Sequence, residues 1–331
     1  MSRVQFIEVT DSEADQRLDK WFKKRFPGVS HGQLEKMLRK GDIRVDKKRA
    51  KSKDRLEAGQ SVRIPPLPDY AYTGYSRSGE KIQTQQTLSD YDIADIRGMI
   101  LHMDEDVIVL NKPAGLPVQG GSGQSRHIDG LLDGLRFDYD ERPKLVHRLD
   151  KDTSGVLVVG RTRQATKHLA EAFKKRTTRK IYWALVAGVP RPHQATISYN
   201  LHKIVTANGE KVVVDPNGQK AISDYSVVAV AGTRAAWLAL KPLTGRTHQL
   251  RVHCAAIETP IVGDGKYGGS EAFLEGAISK KMHLHARELT ISHPKGGDLT
   301  VEAPLSSHMA ATWKLLDFHE GDYEDPFEEF F

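Results

Sequence analysis

What this chain lacks narrows its chemistry before any motif is read. It has a single cysteine, Cys254, which excludes a disulfide within the chain and any metal site built from cysteine pairs. No apolar run approaches the roughly 18 residues that a bilayer crossing requires, so no membrane span is expected. The start, Met1 to Asp11, has neither a basic segment leading into a long apolar one nor an Arg- and Ser-rich, acid-poor character, so no targeting peptide is read there and a cytoplasmic setting is expected. The glycine-rich stretch Gly120-Gly121-Ser122-Gly123 lacks the Gly-x-x-x-x-Gly-Lys and Gly-x-Gly-x-x-Gly spacings that cradle nucleotides, and reads as a turn. His248 and His253 are five residues apart with no carboxylate to complete a helical ligand set, and His283, His285 and His293 add no recognised spacing. Neither a metal nor a nucleotide cofactor is therefore expected.

What is present is a soluble-type composition, 39% hydrophobic and 28% charged, in 331 residues, a length that suits a small module and a larger domain. Charge is unevenly spread. From Asp15 to Ile64 there are 16 Lys and Arg against 7 Asp and Glu, a net of +9 in a chain whose total is +6. In this part, apolar positions 18, 21 and 22 and then 34, 37 and 38 predict two amphipathic helices, broken at Pro27-Gly28. Ser30 is a good N-cap for the second, and Gly41 a stop. Ile43-Arg44-Val45 and Gln60 to Ile64 predict a small sheet. A basic module over 1–66 follows, then a linker over 67–92 opened by Pro65, Pro66 and Pro68, a large domain over 93–319, and an acidic tail over 320–331 with six acids and no base, read as mobile.

Within the large domain one stretch stands out, Val146-His-Arg-Leu-Asp-Lys-Asp-Thr-Ser-Gly-Val-Leu-Val-Val-Gly160. Two carboxylates and two cations lie between His147 and Asp152 and run directly into a short β-branched segment without alternation. That predicts a loop feeding a strand covered on both faces. Asp150 reads as a catalytic carboxylate and Arg148 as a phosphate or base contact, although a solvated Asp/Ser/Gly turn has the same residue types. Downstream, Ala165–Lys175 predicts a helix and Arg179–Val186 a strand, on which Tyr182 and Trp183 must face opposite sides. Alternation does not choose which of them meets a cleft. Strands over 221–230 and 235–241 follow. Leu250, Cys254 and Ile257 have helical spacing, with Arg246, Thr247 and Gln249 at the start, where backbone N–H groups favour anions. A last helix is expected over 307–318.

His147-Arg148-Leu149-Asp150 with Asp152-Thr153-Ser154-Gly155, together with Lys112-Pro113-Ala114-Gly115, Lys180-Ile181-Tyr182 and Gly245-Arg-Thr-His-Gln-Leu-Arg251, resembles the motifs of the pseudouridine synthases of the large-subunit ribosomal type. Residues 15–64 are similar to the S4 RNA-binding domain. The resemblance spans about 15–64 and 100–305 and implies an α+β architecture, a mixed and mainly antiparallel sheet with flanking helices and a central cleft, beside the small S4-like domain. It implies isomerisation of particular uridines in RNA, here 23S ribosomal RNA, by a monomer without cofactors. Asp150 is then the essential aspartate, Arg148 helps evert the nucleotide, Tyr182 stacks on uracil, Arg246 pairs with Asp150, and Leu284 lines the uracil pocket. His147 and Lys180, from the same motifs, complete the implied substrate-binding set. Gln119 departs from the family, which often has His there.

Two other readings fit less well. A phosphatase would need Thr at position 154, where Ser stands, with the apolar strand preceding the acids rather than following them. A non-catalytic RNA-binding or ribosome-assembly protein would explain the basic module and leave Asp150, Tyr182 and Arg246 without a role. A synthase acting on transfer RNA is the remaining variant.

Overall fold

A computed structural model describes residues 4–72, 88–120, 126–206 and 209–327, and the chain divides into two compact units, Met1–Thr87 and Leu88–Phe331. In the first, β1 (Gln5–Glu8), α1 (Leu18–Arg25), α2 (His31–Lys40), β2 (Arg44–Val45), β3 (Lys48–Arg49) and β4 (Ser61–Ile64) fold with sheet order β1-β4-β2-β3. Ser30 caps α2 as its sequence predicts. Its hydroxyl accepts from the Gln33 N–H at 3.3 Å, the Gln33 side chain accepts the Ser30 N–H at 2.8 Å, and Gly41 ends the helix at φ +78°. Leu18, Trp21, Phe22, Leu34 and Leu38 bury their spaced side chains against Ile43, Val62 and Ile64. Each such side chain contributes on the order of 1.5–3 kcal/mol by leaving water.

The expected linker is partly core. Leu67 and Ala71 are buried in this same unit, the Gly28 N–H donates to the Ala71 carbonyl at 3.1 Å, and Tyr72 meets Phe26 edge-on at 5.4 Å. Prolines deny the ladder but leave alternate side chains free to pack, so the small unit reaches residue 72 rather than 66. Of the remaining expected linker, 73–87 lies outside the described residues, as do 121–125 of the glycine-rich turn.

The second unit opens with α3 (Asp90–Gly98), capped by Ser89, then β5 (Ile100–Met103), β6 (Val107–Lys112), α4 (Ile128–Leu131), β7 (Lys144–Leu145), β8 (Ser154–Gly160) and α5 (Arg163–Lys175). It continues through β9 (Arg179–Ala187), β10 (Gln194–Thr206), β11 (Gly209–Val214), β12 (Gln219–Ala231), β13 (Ala235–Pro242), α6 (Gln249–Ala256), α7 (Gly265–Gly268), β14 (Leu284–Ser292), β15 (Asp298–Glu302) and α8 (Ser307–Leu315). Among the described residues eleven strands form one sheet in the order β11-β10-β12-β13-β9-β14-β8-β6-β5, with β15 on β14 and β7 on β8. Every pairing is antiparallel except β14 with β8, so the mixed, mainly antiparallel expectation holds.

β8 is buried along its whole length, with Leu157 and Val159 in one core and Val156 and Val158 in another, as its unalternating sequence implies. β9 also separates two cores. Ile181, Trp183 and Leu185 pack with Trp237 and Trp313, while Ala184 and Val186 face the core of Leu238, Leu250 and Cys254. The long β10–β11 hairpin has no counterpart in the sequence reading, because its strands are mostly exposed and carry little apolar alternation.

The acidic end is docked as far as it is described. Tyr323 meets the Trp183 ring edge-on at 5.1 Å, Asp325 pairs with Arg179, and Phe327 packs beside the tryptophan core. Two aromatics in a short acidic stretch supply the anchoring that its net charge conceals. Residues 328–331 lie outside the described residues.

Candidate active site

The loop from His147 to Thr153 is fastened from two sides. Lys112, fully buried, sends its ammonium to three carbonyls, Leu116 at 2.8 Å and Pro113 and Lys151 at 2.9 Å, and the Gly115 N–H donates to the same Lys151 carbonyl at 2.9 Å. Burial lowers this amine to about 7, against the attraction of Asp152 and Asp150. Behind the loop, β8 begins with Ser154 opposite His285 and Gly155 opposite Ala286. Gly155 sits at φ +105°, where a Cβ would stand 2.2 Å from the Ala286 carbonyl oxygen, so only glycine admits β14 here. The Ser154 hydroxyl and His285 Nδ1 are 2.9 Å apart, and His285 Nε2 lies 3.1 Å from the Ala303 carbonyl. Nε2 therefore carries the proton it donates, and Nδ1 accepts from Ser154. Burial lowers His285 to about 4 and keeps it neutral.

Held by this loop, the Asp150 carboxylate faces Arg251, whose Nη1 is 3.5 Å from Oδ2. Arg251 stands in the first turn of α6 and is itself fixed from behind. Its Nε and Nη2 each donate at 2.7 Å to the carboxylate of Asp264, which is 1% exposed. Burial opposes the guanidinium charge, but the Asp264 hydrogen bonds together with the attraction of the Asp264 and Asp150 carboxylates raise the pKa of Arg251. On the other side of Asp150, His248 Nε2 lies 3.8 Å from Oδ1 while its Nδ1 is 2.7 Å from the Tyr267 hydroxyl. That hydroxyl accepts the Val212 N–H at 3.1 Å, so its own proton points to Nδ1 and His248 presents Nε2–H to the carboxylate. Burial lowers the His248 pKa, with Asp150 working in the opposite direction.

This overturns the expected pairing of Arg246 with Asp150. Arg246 donates from Nε to the Lys220 carbonyl at 3.2 Å and lines the pocket from its wall. The anion site expected at the start of α6 is also absent in that form. His248, at φ +53°, is the N-cap, and the Gln249 side chain is buried among Thr244, Ser223 and the Ile222 carbonyl.

A pocket of about 450 Å³ opens over Asp150, lined by Arg148, Tyr182, Leu284 and Arg246, with His147 and Lys180 at its edge. β9 thus turns Tyr182 to the pocket and Trp183, 1% exposed, to the opposite core. Burial pushes the Tyr182 phenol above its ordinary pKa and the Asp150 charge adds to this, so it is a neutral phenol. Leu284, 3% exposed, is an apolar wall. Arg148 is exposed at the mouth, which also opens toward Gln119, Lys266 and Lys281. His147 is a brace rather than a ready ligand contact. Its Nε2 accepts the Val158 N–H at 2.9 Å, its ring stacks on Phe173 at 4.2 Å, and burial lowers it to about 3.

Sequence reasoning passes over Arg251, His248, Asp264, Tyr267 and Lys112 as site residues. The signal for Lys112 was a lysine closing an apolar strand immediately before Pro, and for Asp264 an acid framed by Gly263 and Gly265. The remaining histidines go separate ways, His253 to Ser223, His283 to Thr312 and His293 to Asp104. Among the described residues no three His, Cys, Asp or Glu side chains gather as a metal site.

A family model described as RNA pseudouridylate synthase matches residues 106–256. The chain is 36% identical over 324 residues to the ribosomal large subunit pseudouridine synthase C of Salmonella typhi, covering 95% of this chain and 97% of that protein. It is also 36% identical to the protein of that name from Escherichia coli strain K12, over 91% and 93% of the two chains. Among solved structures, human RNA pseudouridylate synthase domain containing 4 superposes with a TM-score of 0.58 at 27% identity, over 68% of this chain and 95% of that one.

Proposed function

The chain belongs to the RNA pseudouridylate synthase family, and from that premise we propose that Asp150 is the carboxylate with which it converts uridine to pseudouridine in large-subunit ribosomal RNA. The reaction is an isomerisation. The bond between ribose C1′ and uracil N1 breaks, the base turns in the pocket, C1′ bonds to C5, the C5 proton leaves and N1 gains one. Atoms and charge balance with no redox partner or energy donor, and no cofactor enters the proposal.

The observation that carries it is the placement of Asp150 in that pocket, opposite a guanidinium that Asp264 holds from behind. A fixed cation sets the direction of the carboxylate, whether it attacks the sugar carbon or moves a proton. Tyr182 offers a ring face to a base taken out of its stack, and Leu284, on the neighbouring strand, adds an apolar surface beside it. Arg148, exposed at the mouth, fills the place the everted nucleotide leaves, and Lys180 faces its phosphate. Ribosomal RNA of the large subunit is favoured because relatives that share more than a third of their residues over nearly the whole length bear that name. The basic small unit, S4-like in its helix and strand order, grips the same RNA by its phosphates. One copy of the chain carries all of these groups, so the enzyme works as a monomer in the cytoplasm.

The test is to map pseudouridine across ribosomal and transfer RNA in a deletion strain, and then to restore the gene as wild type and as Asp150→Asn. Pseudouridine should be missing at defined 23S positions, return with the wild type and stay absent with the Asn variant, whose RNA affinity stays within a few fold. Loss confined to transfer RNA would move the substrate. Restoration by Asp150→Asn would remove the aspartate from the chemistry.

A further inference from the structure

Beside the Asp150 pocket runs a second groove, of about 730 Å³, between the end of α5 and the end of β13. The two share Arg176, Lys180 and Pro242, so a chain leaving the pocket enters the groove directly. Four cations face it, Arg176, Arg179 and Lys180 on one wall and Lys241 on the other, against the carboxylates of Glu288 and Asp325. Among the described residues no carboxylate lies within ion-pair distance of Arg176, Lys180 or Lys241, and the Lys180 pKa is lowered by burial and by Arg176. Uncompensated like charges held together cost free energy unless an anion joins them.

Among the described residues, Asp325 is the acid that reaches this groove from the end of the chain. It takes one nitrogen of Arg179, whose other terminal nitrogen already has Glu288, so neutralising Arg179 does not require it. The Phe327 carbonyl accepts from Lys241 Nζ at 3.5 Å, and the Phe327 ring lies 5.8 Å from the same ammonium. An acid and an aromatic ring set on a row of cations imitate a phosphate and a base. The segment is anchored upstream by Tyr323 on Trp183, so it can leave the groove from Glu324 onward without losing that contact.

We propose that this groove is an RNA-backbone site that takes phosphodiesters of the strand leaving the Asp150 pocket, and that Asp325 and Phe327 occupy it in the free protein as a competing internal ligand. The proposal rests on RNA being the substrate, as argued above. The segment lowers affinity for RNA that fills only this groove, while an RNA that also engages the pocket and the small unit displaces it. The device therefore favours full-length substrate over unrelated strands.

The test uses a 12-nucleotide oligouridylate and a transcript of the large-subunit ribosomal RNA with three variants: removal of residues 324–331, Asp325→Asn and Lys241→Glu. Oligouridylate binding at low salt should tighten about 3- to 10-fold on removal and about 2-fold with Asp325→Asn, and weaken about 5-fold with Lys241→Glu. Removal should steepen the slope of log affinity against log salt by about 0.7, one further phosphate neutralised on a single strand. Turnover at saturating transcript should not change on removal or with Asp325→Asn. Unchanged affinity and slope in the removal and Asp325→Asn variants, with native melting curves, would overturn the proposal and leave the segment as a brace. Weaker binding on removal would do the same, and should removal lower the melting temperature, Asp325→Asn decides. A wild type that binds the transcript but forms no pseudouridine would instead defeat the isomerase reading, which the oligouridylate measurement does not depend on.

Discussion

The small unit sets Lys47, Lys48, Arg49, Lys51 and Lys53 out in water, while the large unit buries Lys112 and all but closes over Arg251. The first group is a field. Each member contributes little to stability, is screened by salt, and can stand in for its neighbour when a phosphate approaches. The second is a set of fixed points, since a desolvated cation is tolerable only where named partners meet it: three carbonyls for Lys112, and Asp264 with Asp150 for Arg251. The same residue types thus serve capture in one unit and aiming in the other, and the difference lies in how much water each has lost.

That contrast breaks most visibly at Arg251. Arg251→Met leaves Asp264 buried without its partner and should cost about 3–5 kcal/mol of stability, read from denaturant unfolding. Arg251→Lys should retain more of the fold yet lose turnover on the order of 100-fold, because an ammonium cannot hold Asp264 with two donors and face Asp150 with a third. Arg246→Met, in the same sequence motif, should change turnover far less, and equal losses for Arg246 and Arg251 would undo the assignment of Arg251.

At the pocket wall, Tyr182→Leu should lower kcat/KM more than Tyr182→Phe does, since Phe keeps the ring face and loses only the hydroxyl. If Leu were harmless, stacking would have no part in the site.

Acid should separate the units. Burial holds His147 neutral to about 3 and His253, His283 and His285 to about 4, and all four are in the large unit. In the unfolded chain these imidazoles take up protons near their ordinary 6.5, so the folded state binds fewer protons between about 6.5 and 4 and loses stability as pH falls through that window. Tryptophan fluorescence of the large unit should report loss of structure at higher pH than the signal of Trp21 in the small unit, followed in a chain whose other tryptophans are replaced. Coincident transitions would show that the buried histidines do not set acid stability.

The smallest effect belongs to the field itself. Replacing Lys47, Lys48, Lys51 and Lys53 by Ala should leave turnover at saturating RNA unchanged and raise KM, with a salt slope shallower by up to about 3. An unchanged slope in filter binding would mean that this face is only solvated.

Much of this was legible in the sequence, and the parts that were not share a cause. Periodicity exposed the two-faced strand at Val156–Val159 and the capped helix after Ser30, because each signal lies within a dozen residues. The choice between Tyr182 and Trp183 needed the sheet, since alternation states only that they oppose. Arg246 and Arg251 could not be ranked from spacing. Gln249 opens the helix only because His248 turns left-handed, and that turn sends Arg251 toward Asp150 and Arg246 to the Lys220 carbonyl. The docking of the acidic end escapes the sequence for a similar reason: its partner Arg179 lies 146 residues away from Asp325, beyond any local pattern.

Lys112 ties the turn after β6 to the Asp150 loop. Its ammonium and the Gly115 amide converge on one carbonyl, that of Lys151, while the Thr153 amide closes on the carbonyl of Asp150 at 3.2 Å. Opening either loop alone would strand a buried charge, so the Gly115 and Thr153 amides should exchange their protons with solvent as one cooperative unit at a common rate. In Lys112→Met, where that coupling is gone, the two rates should part, with Gly115 the faster.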